Sequence, residues 1–163
     1  MDIKYFDHAA TTAVRKEVLE EMLPFFSEEY GNPSSMYSIG RKAKKKIDEA
    51  REKVAKAINA SPKEIYFTGC GSESDNIAIK GIAYANRHKG NHIITTKIEH
   101  PAILNTCRSL EKEGFDVHYL NVDEDGIINI EELEEAINSH TILISVMYAN
   151  NEIGTIQPIK EVR

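Results

Sequence analysis

The residues whose types and spacing best suit chemistry run from Tyr66 through Thr68-Gly69-Cys70-Gly71-Ser72-Glu73-Ser74-Asp75 to Asn76. An apolar strand end leads into a glycine-rich turn and then into a helix start. Gly69 and Gly71 can take backbone angles closed to other residues and let a ligand come close to the main chain. Ser72, Ser74 and Asp75 are side chains that accept hydrogen bonds from the free N–H groups of a first helical turn. Such a helix start holds an anion, most often a phosphate. A lone turn of this kind is more often an ordinary loop before a capped helix, so its company decides. Two other stretches supply that company. His100 follows the β-branched run Ile93-Ile94-Thr95-Thr96, and Asn150-Asn151-Glu152 follows the apolar run Ile142 to Met147. All three stretches lie just past predicted strands, and in α/β sheets the carboxyl ends of the strands face the ligand crevice. Hydroxyls, a flat imidazole and an amide can therefore converge on one ligand there. Taken singly, His100 reads first as a surface or helix-capping histidine, and the shared edge turns the balance toward a ligand contact.

Other constellations are weaker. Asn121 to Glu132 nearly spells a calcium-binding loop, with oxygens at Asn121, Asp123, Asp125 and Glu132 and Gly126 at the turn. Asn121 stands where the first aspartate belongs, and Phe115 to Leu120 alternates like a strand where an incoming helix is needed. An acidic turn leading into a capped helix is the plainer reading. His88 and His92 are separated by Gly90, which breaks any helix joining them, and too few further ligands stand nearby for zinc. Cys70 sits where helix-end amides could activate a thiol, although a small residue packed under the turn is commoner. Cys107 shares an apolar helix face and reads as core. The basic run Arg41 to Lys46 is interleaved with Asp48, Glu49 and Glu52, the pattern of a solvated helix face with i,i+4 pairs.

Positioning these residues falls to strands that alternate with helices, a pattern calling for a layered α/β fold with a mostly parallel sheet. Helices are expected from about Val14 to Pro24, from Ile39 to Asn59, after the glycine-rich turn up to Gly90, from Pro101 to Gly114, and from Ile130 to Ile137. Ile77, Ile79, Ile82 and Ala83 should face a core. Strands are expected at Ile65–Phe67, Ile93–Thr96, Phe115–Tyr119 and Ile142–Met147, the last covered on both faces. Asn129 and Glu132 are spaced like a capping pair. The 163 residues suffice for one domain with a sizeable core. The net charge of −6 argues against nucleic acid or an anionic membrane surface as the main partner. Two cysteines make no disulfide framework, which suits a reducing cytoplasm, and no apolar run reaches membrane-spanning length.

Five motifs occur in an order that resembles cysteine desulfurases, fold-type I enzymes of the class V aminotransferase family that use pyridoxal phosphate (PLP). They are Tyr5 to Thr12, Gly31-Asn32-Pro33-Ser34-Ser35, Thr68 to Asn76, Glu99-His100-Pro101-Ala102, and Asn150 to Thr155. The resemblance implies a three-layer α/β fold that is an incomplete large domain, with residues 1–13 as an N-terminal arm and 14–163 as the first part of the PLP-binding domain. It implies that Gly71 and Ser72 bind the cofactor phosphate, that His100 stacks on the pyridine ring and assists proton transfer, and that Asn151 bonds the phenolic oxygen. The implied reaction takes sulfur from L-cysteine, leaving alanine and an enzyme persulfide that feeds iron–sulfur cluster assembly. The implied partners are a second copy of the chain and a sulfur-accepting or scaffold protein.

Departures are small. Ser72 stands where threonine is usual, Gly69-Cys70 replaces a common Ser-Gly pair, and Tyr148 replaces a frequent histidine. The cofactor-anchoring lysine, the aspartate facing the ring nitrogen and the persulfide cysteine match no position here, and neither Lys97 nor Cys70 stands in for them. The chain therefore resembles the N-terminal portion of such an enzyme and is expected to be inactive alone. A selenocysteine lyase, another class V enzyme, or a non-enzymatic α/β module binding calcium or a nucleotide are the alternatives.

Overall fold

The computed structural model describes residues 3–162, and the chain forms two compact units, Met1–Phe67 and Thr68–Arg163. In the first unit, α1 (Lys16–Met22) opens after an extended Arg15. The helical stretch does not stop at Pro24 as expected. Proline is tolerated in a first helical turn because that turn needs no N–H donor, and Pro24 opens α2 (Pro24–Ser27). The long helix α3 (Ser38–Ala57) places the basic run on its outer face, where Lys44 pairs with Asp48 and Lys45 with Glu49. The Lys44 ammonium holds the Asp48 carboxyl below its usual range. After a 3-10 turn at Pro62–Glu64, Ile65 is extended but no strand forms over Ile65–Phe67. The expected strand fails because a strand needs a ladder partner, and no described segment runs beside it; Tyr66 is 81% exposed.

The second unit is a three-layer α/β arrangement. Its helices and strands alternate as α4 (Gly71–Asn86), β1 (His92–Thr96), α5 (Pro101–Lys112), β2 (Asp116–Leu120), α6 (Ile130–Ala136), β3 (Thr141–Ile144) and α7 (Ile159–Val162). The sheet order is β2-β1-β3 and both pairings are parallel. Every residue of β1 is buried, as a central parallel strand requires. On one face Ile93 packs with Ile79 and Ala83 of α4 and with Ile103, Cys107 and Leu110 of α5. On the other, Ile94 and Leu120 pack with Leu133 of α6, and Val162 of α7 joins them.

Three expectations need correction here. Ile77 lies two residues, or about 200°, around α4 from Ile79, so it cannot share the buried stripe and stays 56% exposed. Ile82 is likewise exposed, at 41%. The run Ile142–Met147 forms a shorter strand than its composition suggests, and its residues are half-buried, because β3 has a neighbour on one side only among the described strands. Asn129 caps α6 through the Glu131 and Glu132 N–H groups, but the Glu132 carboxylate turns to Asn121 and does not close the pair.

The burial contrast has a measurable consequence. Leu110 is fully buried and Val18 is 47% exposed. Leu110→Ala should cost about 2–5 kcal/mol in urea unfolding, and Val18→Ala no more than about 0.5 kcal/mol.

Candidate functional site

The strand β1 is followed by a helix on the α4–α5 face, whereas the chain after β3 passes to α7 on the α6 face. Adjacent parallel strands whose connections leave in opposite directions open a crevice at their carboxyl ends, the usual ligand position in such sheets. His100 lies past β1 and Asn151 past β3 on this edge. The amino-terminal half of α4 lies near this edge, where the Asp75 carboxylate acts on the charge of Glu99.

At the glycine-rich turn the helix begins at Gly71, with Cys70 as an extended N-cap that has no side-chain cap bond. Ser72, Ser74 and Asp75 are therefore inside the helix and do not cap it. Glu73 reaches back to accept the Gly69 N–H, Thr68 and Ser74 share a hydroxyl–hydroxyl bond of 2.6 Å, and Ser74 N–H is bonded to Cys70 O. Among the described residues the Ser72 hydroxyl has no partner, and the Gly71 and Ser72 amides precede the first intrahelical donor. Neither Gly69 nor Gly71 has a positive φ, contrary to the expectation from residue type. What Gly71 supplies is space, since a Cβ there would meet no heavy atom within 4 Å. Open room, two free amides, a free hydroxyl and the positive end of a 16-residue helix fit a phosphate group. Cys70 is exposed, not packed under the turn, because its extended N-cap backbone holds it out; Cys107 is core, and burial pushes its thiol to about 11.

The exposed His100 is the N-cap of α5, with Pro101 at the first helical position. Its Nδ1 accepts the Ala102 N–H at 3.1 Å, so a neutral ring carries its proton on Nε2. The capping role anchors one edge of the imidazole and leaves its faces and Nε2 for a ligand. Asn151 is exposed and donates to Glu152 Oε1 at 2.9 Å. Its neighbour Asn150 is buried and structural: Nδ2 donates to Ile98 O, and Oδ1 accepts the Glu152 and Ile153 N–H groups.

The composition-based reading missed Glu99, which is only 6% exposed. Its Oε1 accepts the Met147 N–H at 2.6 Å and the Thr96 hydroxyl at 3.3 Å. Burial pushes its carboxyl above the ordinary range, more than these two bonds lower it, and Asp75 pushes the same way. An acid set between the β-branched run Ile93–Thr96 and the His100-Pro101 helix start was the available signal. Gln157 was missed as well. It is 3% exposed and clamps the acidic turn, with Nε2 donating to Gly126 O and Oε1 accepting the Ile128 N–H.

That turn is not arranged as a calcium loop. Asp123 Oδ1 accepts the Asp125 and Ile127 N–H groups, Asn121 accepts from Lys97 Nζ, and the incoming element is β2. No cluster of three or more His, Cys, Asp or Glu suited to a metal occurs among the described residues. No described helix is long and apolar enough to cross a membrane.

With this geometry in place, the sequence profile of the Aminotransferase class-V family matches residues 4–163, and the chain belongs to that family of PLP-dependent enzymes. Within it the similarity is to cysteine desulfurases. The chain is 65% identical over 158 residues to Cysteine desulfurase IscS of Clostridium botulinum, a match covering 97% of this chain and 40% of that protein. Among solved structures it superposes on a NifS-like protein with a TM-score of 0.94 at 48% identity, covering 97% of this chain and 43% of that one. It also superposes on SspA in complex with cysteine, with a TM-score of 0.92 at 47% identity, covering 98% of this chain and 46% of that one. The chain thus spans about two-fifths of the length of these relatives.

Because Glu99 is raised in the folded state, the native protein binds more protons there than the unfolded chain does. Its stabilising contribution is complete below the ordinary carboxylate value of 4.5 and is lost as pH rises through the folded value. Glu99→Gln should remove that slope, so the variant gains stability relative to wild type as pH rises through this window, as measured by thermal melts across acidic to neutral pH.

Proposed function

We propose that this chain forms the phosphate- and ring-binding part of a PLP-dependent cysteine desulfurase. The observation that carries this is the α4 start, where Ser72 keeps an uncommitted hydroxyl beside the open Gly71 amide while Thr68 and Ser74 are bonded to each other. Ser72 and the Gly71 N–H would hold the phosphate, the faces of the capped His100 ring would stack on the pyridine, and Asn151 Nδ2 would donate to the phenolic oxygen. Bound PLP supplies an electron sink for breaking the carbon–sulfur bond of an amino acid substrate. The capping bond on Nδ1 holds the neutral His100 ring with its Nε2–H at that edge, where it would donate a hydrogen bond to the bound ligand.

L-cysteine as substrate is supported by the naming of the desulfurase relatives and by the cysteine described with SspA. In the reaction a protein thiolate takes the substrate sulfur, forming a sulfur–sulfur bond as the carbon–sulfur bond breaks, and alanine leaves. The thiolate, the anchoring lysine and the ring-nitrogen aspartate match no residue of this chain, so the reaction belongs to the whole enzyme. Homodimerisation, a cytoplasmic setting and delivery of sulfur to iron–sulfur assembly form part of the same reading.

The test is a titration of the isotope-labelled chain with pyridoxal phosphate and with pyridoxal. The phosphate ester should shift the Gly71 and Ser72 amide resonances, and pyridoxal should not. Ser72→Ala should weaken the phosphate-dependent binding by about 3- to 10-fold, the worth of one hydrogen bond. Equal responses to both compounds, or none at α4, would sink the proposal.

A further inference from the structure

The backbone pairing between β1 and β3 runs out at Ile94 with Ile144, extended by one Ser145 N–H donation to Ile94 O. Beyond that point the segments carrying His100 and Asn151 have no ladder to keep them in register. Two side-chain bonds bridge the gap. Glu99 Oε1 accepts the Met147 N–H, and Asn150 Nδ2 donates to Ile98 O. Each bridging side chain is the immediate neighbour of a proposed cofactor contact, Glu99 of His100 and Asn150 of Asn151. Thr96, the last residue of β1, donates to the same Glu99 oxygen and ties the carboxylate back to the central strand. The far side of the Asn151 hairpin is fastened by Thr155 to Asp125 O and by Gln157 to Gly126 and Ile128. The hairpin has a fixed outer flank, and on the inner one Glu99 and Asn150 supply the two cross-links.

We propose that Glu99 is a positioning residue that locks the β1–α5 loop to the β3 hairpin, so that His100 and Asn151 present one rigid edge to the cofactor. The role of that edge rests on the cofactor reading above; the lock itself does not. Three observations support a dedicated lock over an incidental buried acid. The group is nearly inaccessible, it bridges two elements that share no backbone ladder at this level, and a carboxylate is held there although burial disfavours its charge. Leaving an ionisable group buried is costly unless its bonds are needed.

The test uses the labelled chain with Glu99→Gln, which keeps an acceptor oxygen, and Glu99→Leu, which keeps volume and removes the acceptor. Hydrogen exchange at the bonded amides of Met147, Asn150 and Glu152 should accelerate together by at least about 10-fold in E99L, the loss of a bond worth about one tenfold step. The central β1 amides should stay protected, and E99Q should exchange like wild type. On adding pyridoxal phosphate, Ser72 should respond in all three proteins, whereas the His100 ring and the Asn151 side-chain amide should respond together only in wild type and E99Q. A change confined to Met147, or a joint His100–Asn151 response surviving in E99L, would overturn the lock. Failure of Ser72 to respond in wild type would overturn the cofactor reading, with the exchange data still deciding on Glu99.

A pH titration of wild type gives a second measurement should E99L not fold. The groups facing Glu99 are Asp75 from α4 and Cys107 from α5, the latter pushed to about 11 and outside the acidic range. In an Asp75→Asn background, the Met147, His100 and Asn151 signals should share one acidic inflection that E99Q abolishes. An inflection at Met147 that neither His100 nor Asn151 follows would equally overturn the proposal.

Discussion

The placement of β1 between two parallel neighbours is the constraint on which the second unit depends. A parallel strand paired on both sides has helices crossing over both of its faces, so its side chains are shielded from water throughout. Ile93 and Ile94 meet the two helical layers, while Thr96 commits its hydroxyl to Glu99. Because both pairings are parallel, the strand ends that carry the candidate ligand contacts emerge at one edge. The position of His100 and Asn151 is therefore a consequence of strand direction before it is a matter of side-chain chemistry.

At that edge the polar side chains divide into two groups with different surroundings. Glu99, Asn150 and Gln157 are buried and spend their bonding capacity on backbone groups of neighbouring loops. Ser72, His100 and Asn151 are exposed, with Ser72 uncommitted and His100 committed at one ring nitrogen only. A buried polar group must find a protein partner, whereas an exposed one can wait for a ligand. The acidic turn belongs with the first group. Its Asp123 oxygen closes its own loop, and its carbonyls receive Thr155 and Gln157, so it serves as a dock for the hairpin that bears Asn151.

How much was legible in the sequence depended on whether the signal was local. The 3.6-residue periodicity placed α3, α5 and α6 to within a few residues, and Pro101 and Asn129 marked their starts, because caps act over one turn. The motif from Thr68 to Asn76 was legible as a helix start, but the sharing of its hydroxyls was not. Ser72, Ser74 and Thr68 are chemically alike, and only the fold of the turn pairs two of them and leaves the third open. The strand at Ile65–Phe67 misled for the same reason in reverse: its composition suits a strand, yet pairing is a property of two segments.

The sequence by itself determined the alternation of strands and helices, the family, and the identities of Gly71, Ser72, His100 and Asn151 as candidate contacts, since motif order and periodicity are written along one chain. Only the tertiary structure decided that Glu99 is buried and bridges to Met147, that Asn150 supports while Asn151 faces out, and that Gln157 latches the acidic turn. These bonds join residues 29 to 52 positions apart, at distances in sequence that no local pattern encodes. The physical reason is that a side chain's role at this edge follows from what covers it, and β1 with its two neighbours decides what is covered.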